Sequence, residues 1–461
     1  MKENHSNLIL TLLFICCVCI VASHQQEKEQ STSDEYSSKI RKFTIPYDEK
    51  EWHDLKQTLN KSIAKLKSHP DSMVPFYSET DRAWKMGSQI NQVLELAEYW
   101  KNEFDWKKQV DLMNELFPHY ESQVDDHVTV RFGWRQAKSQ IEKPLKERKV
   151  LMIVHGWPGS IIEFHRIINT LVDVHGFDVV VPSIPGYGYS SIPRKEGYHI
   201  GKVGQIFAQL MKNIGYGKYI VQGGDWGSMI TMYVARADPE NCIGYHSNMC
   251  LVIPNWRDWI DVAKDLITQL VSGTPYSSNT NSFSSFLSGC LTYITEEIGY
   301  QAMQSSKPDS IGVALLDSPL GLMNYILEKF VSWTDIEPRD TTGLFKVITR
   351  DEFLTNVMIY YTTNTIDSSM RKYYNVAKGA EEHKLGTKNY LQTPTACAVF
   401  KDLFRAPKST AARNFNLIQY NRYEKGGHFA ALENGQTLVD DLISFTEKVY
   451  NLQKTNTKNE L

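Results

Sequence analysis

The chain is poor in long hydrophobic runs: Leu8 to Ser23 is the only one in 461 residues. As a helix it would span about 24 Å at ~1.5 Å per residue, short of the ~30 Å hydrocarbon core of a bilayer. An excess of one charge is also missing. Lys+Arg 50 against Asp+Glu 53 leaves a net charge of -3, so no bulk attraction to nucleic acid or anionic lipid is expected. Cysteine is sparse. Of seven, Cys16, Cys17 and Cys19 lie in the apolar run, and Cys242, Cys250, Cys290 and Cys397 show neither a CxxC pair nor a metal-ligand spacing. Four scattered cysteines do not make a disulfide framework, and single buried thiols are the expectation. No internal repeat is present. Hydrophobic residues at 42% and charged residues at 22% fit an ordinary globular protein. Its length allows about three domains, or one large domain with big insertions. Aromatics at 11%, with 24 Tyr and 10 Trp, suit a protein lining a large apolar pocket.

The ends of the chain carry addresses. The apolar run closes on Val21-Ala22-Ser23 and is followed by polar His24-Gln25-Gln26, which reads as a cleaved signal peptide. An uncleaved anchor is the alternative, and would associate the chain with the membrane. The last four residues, Lys458-Asn459-Glu460-Leu461, differ by one Asp-to-Asn change from the Lys-Asp-Glu-Leu signal for retention in the endoplasmic reticulum. An entry signal at one end and a retention-like signal at the other support each other, and the lumen of that compartment is the expected location. Asn60-Lys61-Ser62 matches a glycosylation site.

Behind the leader (1–23) and a polar stretch (24–42) comes a module over 43–147. Helices are expected in it from Glu51 to Leu66 and from Ile90 to Phe104, with a strand from His127 to Trp134. From 148 to 253 short apolar runs (Val150 to Val154, Val179 to Val181, Tyr219 to Val221) alternate with helical sequence such as Val203 to Ile214. Runs of this kind indicate a mostly parallel α/β sheet with both faces covered. Over 254–375 strands disappear in favour of helical and irregular sequence, including a Ser/Asn-rich stretch from Ser277 to Ser285. Strand-like sequence returns at Tyr390 to Ala398 and Leu417 to Tyr420, and an amphipathic helix from Gln436 to Tyr450 closes the segment 376–452 ahead of the tail, 453–461. A sheet interrupted by one helical insertion is a core with a lid.

Gly223-Gly224-Asp225-Trp226-Gly227 follows the third apolar run and opens a helix expected over Ser228 to Arg236. This is the strand–turn–helix setting of the nucleophile elbow in α/β-hydrolases, with Asp where Ser is usual. Helix capping is the plainer role for such an Asp. His155-Gly156-Trp157-Pro158-Gly159 ends the first run. In that fold the loop supplies one oxyanion-hole N–H and the residue after the nucleophile supplies the other, here Trp157 and Trp226. Gly426-Gly427-His428-Phe429-Ala430 lies between the last strand and the last helix, where the chain order nucleophile, acid, His places the base. Asp402 is the best-placed acid and Glu424 its competitor.

A carboxylate nucleophile displaces a leaving group from a tetrahedral carbon and forms an ester. Water activated by His428 then attacks the carbonyl of Asp225, with Asp402 holding the imidazole. The leaving group is a halide or the oxygen of a strained epoxide, and the epoxide oxygen needs a proton donor. Tyr remains protonated at neutral pH, and the lid offers Tyr293, Tyr300, Tyr325, Tyr360, Tyr361, Tyr373 and Tyr374.

At these residues the sequence resembles the microsomal epoxide hydrolases, including the insect juvenile hormone epoxide hydrolases. Tyr99 to Trp106 (YWKNEFDW), His155 to Ser160 (HGWPGS), Gly223 to Ser228 (GGDWGS) and Gly426 to Glu433 (GGHFAALE) carry the resemblance, which runs from Phe43 to Tyr450. It implies an α/β-hydrolase core with a helical cap and an N-terminal segment packed around it. It also implies hydrolysis of apolar epoxides (xenobiotic, lipid or juvenile-hormone-like) with water as the only co-reactant, without metal or organic cofactor. By local motif it assigns the proton donors to Tyr300 and Tyr373, with Tyr374 one residue away. The family's acid is usually Glu, five residues before a Pro; here Asp402 stands five before Pro407. Haloalkane dehalogenation and a catalytically inactive binding protein are the competing readings.

Overall fold

The computed structural model describes residues 39–68, 84, 86–253, 256–260, 283–379 and 390–459. The leader, most of the polar stretch behind it, most of Ser277 to Ser285 and the final Glu460-Leu461 lie outside the described residues. Among the described residues no helix is long and apolar enough to cross a membrane.

Among the described residues nine strands form one sheet: β1 (Arg41–Phe43), β2 (His119–Asp125), β3 (Val128–Arg135), β4 (Val150–Val154), β5 (Asp178–Pro182), β6 (Tyr219–Gly223), β7 (Cys242–Ser247), β8 (Leu391–Val399) and β9 (Phe415–Arg422), in spatial order β1-β2-β3-β5-β4-β6-β7-β8-β9. The first four in that order pair antiparallel and the rest parallel. All residues of β4, β5 and β6 are buried, because helices cover both faces; the polar Asp178 and Gln222 among them are hydrogen-bonded to Tyr216 and Asn248. β1, β2 and β7 were not anticipated. β2 (HYESQVD) carries polar side chains toward solvent, and β7 (CIGYHS) is buried without being an apolar run. Its His246 instead meets Asp441 at 2.9 Å, both side chains fully buried.

In the N-terminal module, the helices Glu49–Lys67, Ile90–Asn102 and Trp106–Leu116 turn Leu55, Leu59, Val93, Trp100 and Trp106 inward. Trp100 and Trp106 are among the largest fully buried side chains of the molecule. Between β7 and β8 the described chain is helical, with Gly299–Ser306, Pro319–Trp333, Arg350–Thr363 and Ile366–Lys378 as the segments that matter below. The closing helix, Gly435–Asn459, is longer than its apolar periodicity indicates.

One expectation is corrected. Cys250 and Cys397 are joined in a disulfide, with Cα atoms 5.8 Å apart. The parallel pairing of β7 with β8 sets Ser247 opposite Cys397, so Cys250, three residues on, comes back over it. That proximity follows from strand order, to which a separation of 147 residues gives no clue. Cys242 is a buried free thiol and Cys290 a partly buried one.

Candidate active site

Four loops at the C-terminal ends of the parallel strands converge, those after β6, β4 and β9 and the one after β8 that carries Asp402. The first is the turn after β6. The helix behind it begins at Asp225 itself (Asp225–Ala237), three residues earlier than expected, and Gly224 occupies the cap position. Asp225 is therefore not a capping residue. Its backbone is left-handed, φ 48°, an uncommon and strained conformation for a residue with a side chain. The turn is tight enough that a Cβ on Gly227 would lie 2.0 Å from the Val154 carbonyl oxygen, and one on Gly156 would lie 2.3 Å from the Asp225 Cβ. Only glycine lets the two loops approach so closely.

The second loop follows β4. The Trp157 backbone N–H donates to Asp225 Oδ1 at 2.8 Å, and the Trp226 N–H also bonds this carboxylate. The two donors expected to face a developing oxyanion are thus aimed at Asp225. A lid helix fixes this loop: Asn356 Nδ2 donates to the Pro158 carbonyl at 2.7 Å, Ser160 Oγ donates to Asn356 Oδ1 at 2.7 Å, and the Tyr360 hydroxyl donates to the Gly159 carbonyl at 2.8 Å. Tyr360 is thereby committed to structure. His155 is buried, which pushes its pKa down to about 4, so it is a neutral packing residue.

The third loop carries His428. Its Nδ1 lies 2.9 Å from Asp402 Oδ2 and its Nε2 lies 3.8 Å from Asp225 Oδ2. Glu424, the competing acid, is 66% exposed and pairs with Arg405, so only Asp402 reaches the imidazole. Two carboxylates flank the ring. Burial by itself would lower the His428 pKa; Asp402, Asp225 and Glu163 overcome this and hold it at about 9. Burial raises the Asp225 pKa, against the opposing pull of His428 and the two N–H donors.

Sequence reasoning missed the supports of this loop. Glu433 Oε2 accepts from the N–H groups of Gly427 (2.7 Å) and Asp335 (2.8 Å), its Oε1 accepts from Phe429 N–H (2.8 Å), and His428 N–H donates to the Trp333 carbonyl at 3.0 Å. Glu433 stands at the end of the GGHFAALE stretch, so the signal was in view without an assigned role. Glu163, six residues after Trp157, faces His428, Asp225 and Glu433; burial pushes its pKa up to about 8.

Tyr300 and Tyr373 line, together with Asp225, a cavity of about 470 Å³. The Tyr300 ring stacks on Trp157 at 5.2 Å, Tyr373 lies edge-on to Trp226 at 4.7 Å, and the two tyrosine rings are 5.6 Å apart. The Tyr373 hydroxyl is buried and interacts with the Tyr300 hydroxyl. Tyr374 is 40% exposed and lines a different cavity. Tyr293 also lines the site and donates to Tyr300 at 3.4 Å. Tyr325 accepts from Gln304, and Tyr361 lies outside the lining. Burial raises both the Tyr300 and Tyr373 pKa well above 10, so both hydroxyls keep their protons. The remaining wall is largely apolar, with Met229, Leu251, Leu403, Phe404 and Val376 prominent. Among the described residues no cluster of His, Cys, Asp and Glu could hold a metal ion.

Residues 40–164 match the family model described as epoxide hydrolase N terminus, and residues 149–275 match that of the alpha/beta hydrolase fold. The chain is 34% identical over 419 residues to Epoxide hydrolase 1 of Oryctolagus cuniculus, covering 88% of each protein. It is 34% identical over 374 residues to Juvenile hormone epoxide hydrolase 1 of Ctenocephalides felis, covering 79% of each. The crystal structure of juvenile hormone epoxide hydrolase from Bombyx mori superposes with a TM-score of 0.77 at 29% identity, over 90% of this chain and 95% of that one.

Proposed function

Because the chain belongs to the epoxide hydrolase family of α/β-hydrolases, we propose that it converts apolar epoxides and water to vicinal diols through an ester on Asp225. The observation that carries this reading is that a carboxylate and two protonated tyrosines line one largely apolar cavity, with the His428–Asp402 pair beside the carboxylate.

In the first step Asp225 Oδ2 attacks an epoxide carbon, and the breaking C–O bond leaves its electrons on oxygen. Tyr300 or Tyr373 gives that oxygen a proton. The Asp225 carboxylate becomes a neutral ester, so one of the charges that raises the His428 pKa vanishes and the imidazole becomes able to act as base. Water then attacks the ester carbonyl while His428 Nε2 takes its proton. The resulting oxyanion lies against the Trp157 and Trp226 N–H groups, where such donors contribute about 2.7–4 kcal/mol each. Collapse breaks the bond from the Asp225 carbonyl carbon to the substrate oxygen, the imidazolium protonates that oxygen to release the diol, and the second proton of the attacking water returns to the tyrosinate, which restores the carboxylate.

The diol's new oxygen therefore comes from Asp225 and the water oxygen stays on the protein. A single turnover in ¹⁸O-labelled water with excess enzyme is expected to give unlabelled diol and labelled Asp225; label in the first diol overturns the ester. The Trp226 indole N–H is buried without a partner and is a donor a halide could use. Haloalkanes therefore belong in the same assay, and halide release without diol formation would favour dehalogenation. The apolar wall supports apolar epoxides as a class, of juvenile-hormone-like, lipid or xenobiotic origin. We also place the enzyme in the lumen of the endoplasmic reticulum, a reading that the Cys250–Cys397 bond supports, since such bonds persist in oxidising compartments.

A further inference from the structure

A second cavity, of about 570 Å³, lies on the other side of the tyrosine-bearing helices. The Ile366–Lys378 helix presents Tyr373 and Val376 to the catalytic cavity and Ser368, Arg371, Lys372 and Asn375 to the second, as 3.6 residues per turn requires of neighbouring faces. The Gly299–Ser306 helix carries Tyr300 toward the catalytic cavity and ends at Ser306 and Lys307, which line the second. The two cavities thus share their walls but not their linings.

The lining of the second cavity is cationic. Arg194, Lys195, Lys307, Arg371 and Lys372 stand against Glu196 and Asp309. Arg371 is paired with Asp309 at 2.7 Å and with Asp367 at 3.1 Å, which uses up the Asp309 charge. Lys372 is different in kind. It is only 3% exposed, its Nζ donates to the Tyr198 carbonyl at 3.0 Å, and among the described residues no carboxylate pairs with it. A buried ammonium without a counter-ion is costly. Desolvation accordingly pulls its pKa down to about 7. Two of its three N–H bonds remain to be used, at a cavity rimmed by the exposed cations of Arg194, Lys195 and Lys307.

We propose that this cavity is a binding site for an oxyanion, a phosphate or carboxylate group that supplies the missing counter-charge to Lys372. The site is independent of the chemistry at Asp225, and an occupant there would tie together the two helices that carry Tyr300 and Tyr373.

The test is calorimetric titration of the full chain with inorganic phosphate at pH 7 and constant ionic strength. Saturable one-to-one binding is expected, with a Kd below about 1 mM. Lys372→Met should weaken it by about tenfold or more, as loss of a buried charge partner does. Should Lys372→Met fold poorly, the exposed double variant Lys195→Ala/Lys307→Ala keeps the test, with an expected weakening of about threefold. Sedimentation with vesicles containing phosphatidic acid, against phosphatidylcholine alone, separates the sources. Lys372-dependent, phosphate-competed binding to the acidic vesicles identifies a lipid headgroup, and phosphate binding without it identifies a soluble anion. Unsaturable phosphate binding, or equal affinity in the parent and both variants, overturns the site.

Discussion

The Tyr373 hydroxyl is the most exposed point of the chemistry to direct test, because it is buried, protonated and coupled to the Tyr300 hydroxyl beside it. General-acid assistance is worth about 10²–10⁴-fold. Tyr300→Phe and Tyr373→Phe should each retain part of the rate, because the other donor remains, and the double variant should lose about 10²–10⁴-fold. Stopped-flow tryptophan fluorescence should place the loss in ester formation, with no accumulating intermediate. Unchanged pre-steady-state rates in the double variant would exclude the pair as donors. Glu163 makes a prediction about stability. Its pKa is about 8 in the folded chain against an ordinary 4.5, so the folded state holds the proton more tightly. That contribution is complete below about pH 4.5 and is lost as pH rises through about 8. Glu163→Gln, which cannot titrate, should flatten the fall in thermal midpoint between pH 5 and pH 8.5. An equal fall in parent and variant would refute the assignment.

Among the elements, the legible ones were those whose pattern owes little to distant partners. β4, β5 and β6 read as apolar runs because both their faces are covered, and the turns after β4 and β6 read through glycines that the close approach of two loops demands. β7 was not legible, since its burial depends on a His246–Asp441 pair joining residues 195 apart. The Cys250–Cys397 bond was missed for the same reason: its two ends meet only because β7 and β8 are neighbours. It closes a long loop that contains the lid. Replacing both cysteines with alanine should therefore cost about 2–5 kcal/mol, read as a lower urea midpoint. A midpoint unchanged under oxidising conditions would show the bond to be absent in solution.

For the molecule as a whole, the luminal placement predicts that protease leaves the protein intact in sealed microsomes and degrades it once detergent is added; complete digestion without detergent would reject it. That Asp225, Asp402, His428, Tyr300 and Tyr373 come together at one cavity was legible, because motif and chain order name them. Their supports were not, because Asn356, Glu433 and Trp333 act through backbone atoms of other segments, which no local motif records. Those supports bear on how new variants of such a protein can arise. The lid holds the loop after β4 through Asn356 and Tyr360, and it holds the histidine loop through the Trp333 carbonyl and the Asp335 N–H. Transplanting a lid from a relative would carry half of each of these joints and leave the other half behind. Recombination at the lid boundaries should consequently scramble the machinery, whereas point changes at Met229, Leu251 or Phe404, which touch the cavity and none of the joints, leave it assembled and free to meet a differently shaped guest.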